Sequence, residues 1–154
     1  MLNPFDPKTV LLAKHAQHVV LIQFPIALYL SGTLFDLAAR VFRKPNFRPD
    51  FSEVARWNFL FAAVMGIPAA LTGIIAWQWA LQGQHLKGIL RLHLILGCAV
   101  ICGLWLTVFL RSRQKSLPGA ADSLALLATE LIVCGIVSLT AHLGGFLSGV
   151  NGGG

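Results

Sequence analysis

Four stretches of this chain are each long and apolar enough to cross a lipid bilayer, and that constrains the fold more than any motif it carries. They lie at about 15–41, 54–81, 86–110 and 123–147, and roughly 20 apolar residues suffice to traverse the hydrocarbon core as a helix. Inside hydrocarbon every backbone N–H and C=O must be bonded within the protein, which leaves helices or a closed barrel, and a barrel strand needs only about 10 residues. The stretches therefore read as helices. The first separator, RKPNFRPD at 43–50, has two prolines and alternating charge, and the third, RSRQKSLPGAAD at 111–122, has a basic run followed by Pro118-Gly119. The second, QGQHLKG at 82–88, is a short turn. Short connections make sequential helices antiparallel neighbours. The expected fold is all-α: an integral membrane four-helix bundle of up-down topology, filling 1–154 as one transmembrane domain.

Composition agrees. With 56% hydrophobic residues, 12% charged residues and a mean hydropathy of +0.72, the chain is too apolar for an ordinary soluble domain. Its net charge of +6 does not point to nucleic acid, because the basic residues flank the spans as topology signals do. Arg40, Arg43, Lys44, Arg48, Arg56, Arg111, Arg113 and Lys115 gather around the first and third connections, against Lys8, Lys14, Lys87 and Arg91 on the other side. Since Lys and Arg resist translocation, the first and third connections are expected in the cytoplasm and both termini on the outer side. Trp77 and Trp79 then suit the outer interfacial belt. No cleavable signal peptide is read in MLNPFDPK, and the expected location is a bacterial inner (cytoplasmic) membrane.

Antiparallel order gathers all five histidines at one side. His15 and His18 lie near the outer start of span one, His85 in the short turn, His93 two turns into span three, and His142 shortly before the outer end of span four. The 100° helical step then places His18, Ile22, Pro25, Tyr29, Gly32 and Asp36 on one stripe. In span four, Ala128, Gly135, Ser138, His142 and Gly145 share a stripe, expected to face the interior because small residues allow close approach. Gly97 follows His93 by one turn, and Gly144 and Gly145 follow His142.

Ionisable groups within membrane spans are functional by default. A porphyrin needs two axial ligands from opposite sides, and neutral imidazoles on facing helices supply them. The expectation is a non-covalent b-type haem near the outer surface, held by two of His18, His93 and His142 and bordered by Gly97, Gly144 and Gly145. Without Cys-x-x-Cys-His, covalent attachment is excluded. A copper or zinc centre of the three imidazoles ranks second, since no carboxylate accompanies them. The plainer reading is that these histidines only bond neighbouring helices, each bond contributing about 1 kcal/mol or less.

Two acids occupy the opposite half. Asp36 is spaced to pair with Arg40 along one helix. Glu130, two turns inside span four, must be protonated or paired with Arg56 or another base, and a quinone or proton site beside it is the alternative. Cys98, Cys102 and Cys134 read as small core residues, and Pro25 and Pro68 as bends in spans one and two. No phosphate loop, nucleophile elbow or zinc-protease motif is present, and no internal repeat is read, which makes a small permease the least favoured class.

His18 followed by Phe24-Pro25-Ile26, then Asp36, and a closing HLGGFLSGV from His142 to Val150 resemble the predicted membrane proteins called domain of unknown function 2231. The matching positions are His18, Phe24, Pro25, Ile26, His142, Gly144, Gly145, Leu147, Gly149 and Val150; Val19 and Gln23 depart from proline and histidine in the family pattern. The resemblance implies a companion of respiratory or periplasmic redox components. The expected function is one-electron transfer through haem b in contact with the lipid bilayer and other redox subunits. A non-catalytic anchor or assembly subunit of a redox complex is the rival.

Overall fold

The computed structural model describes residues 14–42, 50–79, 83, 85–114 and 123–147. It contains four helices: α1 Lys14–Val41, α2 Phe51–Trp79, α3 Gly88–Gln114 and α4 Leu124–Leu147. All four are long and apolar enough to cross a membrane, and no strand occurs among the described residues. Both chain tails, the first and third connections, and the side chains of His15 and Trp79 lie outside what is described.

Each helix is apolar around most of its circumference, so periodicity alone marks no core face. Small residues and polar layers decide which side turns inward. Tyr29, Ala55, Phe59, Ala62, Ala63, Leu104, Val133 and Val137 form the buried core. Tyr29 sets its hydroxyl 2.9 Å from Thr107 Oγ1 across the bundle and its ring edge-on to Phe59. Phe24, Phe61, Ile67, Ile95, Trp105 and Ile132 are exposed, as a lipid-facing surface requires. α1 and α2 continue through Pro25 and Pro68. The turn before α3 uses Gly83 and Gly88 at φ of +62° and +55°, a left-handed conformation that costs glycine little.

Contacts fix the direction of each helix. The start of α1 meets the end of α2 at His18 and Ala69, the start of α3 meets the end of α4 at His93 and Gly144, and the ends of α1 and α3 meet at Asp36 and Arg111. The bundle is up-down, with α1 diagonal to α3.

One sequence expectation is corrected here. The two hairpins α1–α2 and α3–α4 are built on one plan. The inward positions Ala55, Phe59, Ala62, Gly66 and Ala69 of α2 recur in α4 as Leu126, Glu130, Val133, Val137 and Thr140 at identical spacing. Likewise Tyr29, Gly32 and Asp36 of α1 recur in α3 as Leu104, Thr107 and Arg111, with His18 matched by His93. The repeat is one of position and burial rather than of residue identity, which hides it in the sequence.

Candidate functional site

Two polar layers sit at opposite ends of this core. At one end His18 and His93, on diagonal helices, are both half-buried. His18 Nδ1 is 3.1 Å from the Ala69 carbonyl oxygen and 3.3 Å from Thr72 Oγ1. A carbonyl only accepts, so Nδ1 carries the proton and donates, leaving Nε2 with its lone pair. The Thr72 hydroxyl is spent on the Pro68 and Ala69 carbonyls, at 2.9 and 3.0 Å.

His93 repeats the arrangement on α4. Its ring lies beside the backbone carbonyl of Thr140, and its buried Nδ1 has no hydrogen-bond partner among the described residues. The carbonyl beside the ring in each case belongs to the residue four before a glycine. That glycine lies under the ring: a Cβ on Gly73 would come within 3.0 Å of His18 Cε1, and one on Gly144 within 3.1 Å of His93 Cε1. Both lie in the range where a neighbour must move. Beside Gly97, one turn from His93, a Cβ would meet nothing within 4 Å.

Three expectations are corrected. His142 does not face the interior: its residue is exposed and its ring packs edge-on against Phe146. The stripe it belongs to is the outer face of α4, with Ala128, Gly135 and Ser138 all exposed. The inward stripe is turned away from it and runs through Glu130, Val137, Thr140 and Gly144. Small residues on a lipid-surrounded helix mark a close approach only where a partner stands opposite, and the sequence alone does not say which of two small stripes has one. Consequently Gly144 borders His93, Gly145 is half-buried, and no group of three or more His, Cys, Asp or Glu residues suited to a metal forms among the described residues. Cys98 and Cys102 are exposed and Cys134 half-buried, so only the last is near the core.

At the other end Arg111 is the centre. Its Nε donates to Glu130 Oε1 at 2.9 Å, its Nη2 lies 2.8 Å from the same oxygen and also bonds Asp36 Oδ1, and its guanidinium lies 4.6 Å over the Phe59 ring. Asp36 is further held by Arg40 Nε at 2.6 Å, as the spacing along α1 predicts. Side-chain exposures of 9%, 7% and 0% for Arg111, Asp36 and Glu130 place the cluster inside the bundle. Glu130 therefore pairs with Arg111 and not with Arg56, which bonds Glu53 on its own helix. Arg111 reads in the sequence as the first residue of a basic loop; the helix runs three residues beyond it, to Gln114. The signal that finds it is the one that links His18 to Asp36: Arg111 is also eighteen residues, five turns, after His93.

The sequence model of a family described as "Predicted membrane protein (DUF2231)" matches residues 14–154. No curated protein and no solved structure matches the chain.

Proposed function

The chain belongs to the DUF2231 family of predicted membrane proteins, and from that membership and its histidine layer we propose a membrane-embedded electron-transfer protein that holds one b-type haem between His18 and His93. One observation carries the reading: two inward imidazoles on diagonal helices, His18 held through Nδ1 by the Ala69 carbonyl and His93 with a buried Nδ1 that bonds none of the described residues. This donor set fits axial ligation. His18 and His93 would give haem iron a lone pair each, and a bonded N–H, as on His18, would fix the ring and raise its basicity. Haem supplies a one-electron ferric–ferrous couple.

The chain's own residues do the rest. Ala69 and Thr140 orient the rings, Gly73 and Gly144 let them lie against the neighbouring helices, and the space beside Gly97 leaves room next to His93. The partner residues expected are those of other respiratory or periplasmic redox subunits, in a bacterial inner membrane with the histidine layer toward the outer side. The rival, a non-catalytic anchor or assembly subunit, draws on the outward face of α4, where Ser138 and His142 stand among small residues. A haem is compatible with that role too. A copper or zinc centre lacks its third imidazole, since His142 points away.

Detergent-purified protein is expected to be red, with a Soret band, an α-band that sharpens on reduction by dithionite, and haem b in a pyridine haemochrome assay. His18→Ala and His93→Ala should each abolish the low-spin spectrum, and His142→Ala should leave it intact. Colourless protein sinks the proposal, as does a spectrum that survives loss of both inward histidines.

A further inference from the structure

Beside the Arg111 cluster a cavity of about 140 Å³ lies between α2 and α3, lined by Arg56, Phe59, Leu60, Val108, Arg111 and Ser112. Of its lining residues, Ser112 is exposed and Arg56 half-buried. The Arg111 side chain is only 9% exposed, and its Nε and Nη2 are engaged by Glu130 and Asp36. These bonds use Nε and Nη2 and leave the two N–H donors of Nη1, and Arg111 is one of the residues that line the cavity. Ser112 donates its hydroxyl hydrogen to the Phe109 carbonyl at 2.7 Å, so toward the cavity it offers an acceptor. Leu60 and Val108 supply apolar walls, and Phe59 an aromatic one.

Charge, size and setting narrow the occupant. Arg111 and Arg40 are balanced by Asp36 and Glu130, and Arg56 by Glu53. The lining therefore carries no net positive charge to hold a phosphate, and it favours a neutral head that accepts hydrogen bonds. An apolar cavity of about 150 Å³ takes a benzene molecule, so a volume of about 140 Å³ suits a single six-membered ring and is too small for a tetrapyrrole. Both walls belong to helices long and apolar enough to cross a membrane, a setting that suits a lipid-soluble ligand. We propose that this cavity binds the head of a lipid-soluble benzoquinone, with a ring carbonyl accepting from Arg111 Nη1 and the apolar tail leaving past Leu60 and Val108 into the bilayer. The site is roughly 27 Å from the histidine layer, taking a rise of about 1.5 Å over each of the eighteen residues from His93 to Arg111. It does not rest on the haem reading.

The test is calorimetric titration of the full chain in detergent with decylubiquinone. Saturable binding of one molecule per chain is expected. Val108→Phe, which fills the cavity, should weaken it at least tenfold, and Leu60→Phe should do the same from the other wall, with an unchanged gel-filtration profile certifying each fold. Absence of saturable binding overturns the proposal, as does equal affinity in both correctly folded variants. A parallel titration with phosphatidylglycerol separates the sources. If that lipid binds in a Val108-dependent manner and decylubiquinone does not, the cavity holds an anionic headgroup and the quinone assignment is wrong.

Discussion

At the residue scale the glycines beneath the two imidazoles give the sharpest handle. Alanine in place of a mid-helix glycine ordinarily favours the helix by about 1 kcal/mol. At Gly73 and Gly144 the new methyl meets His18 Cε1 or His93 Cε1 at 3.0 or 3.1 Å, and the ring must move. Gly73→Ala and Gly144→Ala are therefore expected to lose or shift the low-spin haem spectrum while leaving thermal stability equal to or above that of the parent chain. Gly97→Ala, with nothing within 4 Å of the added atom, serves as the comparison for thermal stability alone. A fall in stability without any spectral change at Gly73 or Gly144 would mean that the rings serve only as helix-to-helix bonds. Thr72 adds an asymmetry between the two halves. It stands 3.3 Å from His18 Nδ1, whereas Leu143 holds the corresponding place on α4, so only His18 has a hydroxyl beside its donated proton. Thr72→Val should alter the position of the reduced α-band or the midpoint potential without releasing haem, because the Ala69 carbonyl remains; an unchanged potential removes Thr72 from the site.

At the element scale each helix is defined by what it inserts into the polar layer near Arg111: Asp36 from α1, Phe59 from α2, Arg111 from α3 and Glu130 from α4. Replacing one member of a buried ionic set strands the others, typically at about 3–5 kcal/mol, whereas replacing the whole set by apolar residues of similar volume is often neutral. Arg111→Leu should accordingly lower the thermal stability of the solubilised protein severely, and the triple variant Asp36→Leu, Arg111→Leu, Glu130→Leu should recover much of it. Arg40, on the last turn of α1, can then extend its head toward water. If the triple variant is no better than Arg111→Leu, the ions specify helix register rather than merely tolerating one another. The same layer shows what was legible in the sequence. The inward face of α1 was readable because His18, Tyr29 and Asp36 are polar groups in phase, and polar groups in lipid turn inward. α4 offered two small or polar stripes, one through His142 and one through Glu130, and only the opposing side chain of Arg111 distinguishes them. In α3 the basic run past Arg111 looks like a loop. A helix that ends at the interface carries such residues too, and their role depends on which acids other helices bring within reach.

At the scale of the whole molecule the fold follows directly from span length and the need to satisfy backbone groups in lipid, so its four helices were readable within a few residues at each end. The repeat of two hairpins was not, because the core constrains volume and polarity at Phe59 and Glu130, or Tyr29 and Leu104, without demanding the same residue. Orientation across the membrane is a separate matter, set while the chain is inserted and before Asp36 meets Arg111. At that stage every Lys and Arg near the spans counts and the acids count little, so the excess around the first and third connections over Lys8, Lys14, Lys87 and Arg91 leads to the expectation that the Arg111 layer faces the cytoplasm. Four helices are described in up-down order, so Lys14 and Leu147 share a side. Alkaline phosphatase fused after Gly154 should then be active and green fluorescent protein at the same place dark, since the first works only after translocation and the second only if it stays in the cytoplasm. Substituting Arg43, Lys44 and Arg48 by Gln, none of which belongs to the described bundle, should raise the share of inverted molecules and with it green fluorescence. The opposite pattern in the parent chain would place the histidine layer at the cytoplasmic face. In that case the haem would exchange electrons with partners on the inner side, and the cavity beside Arg111 would open to quinone in the outer leaflet.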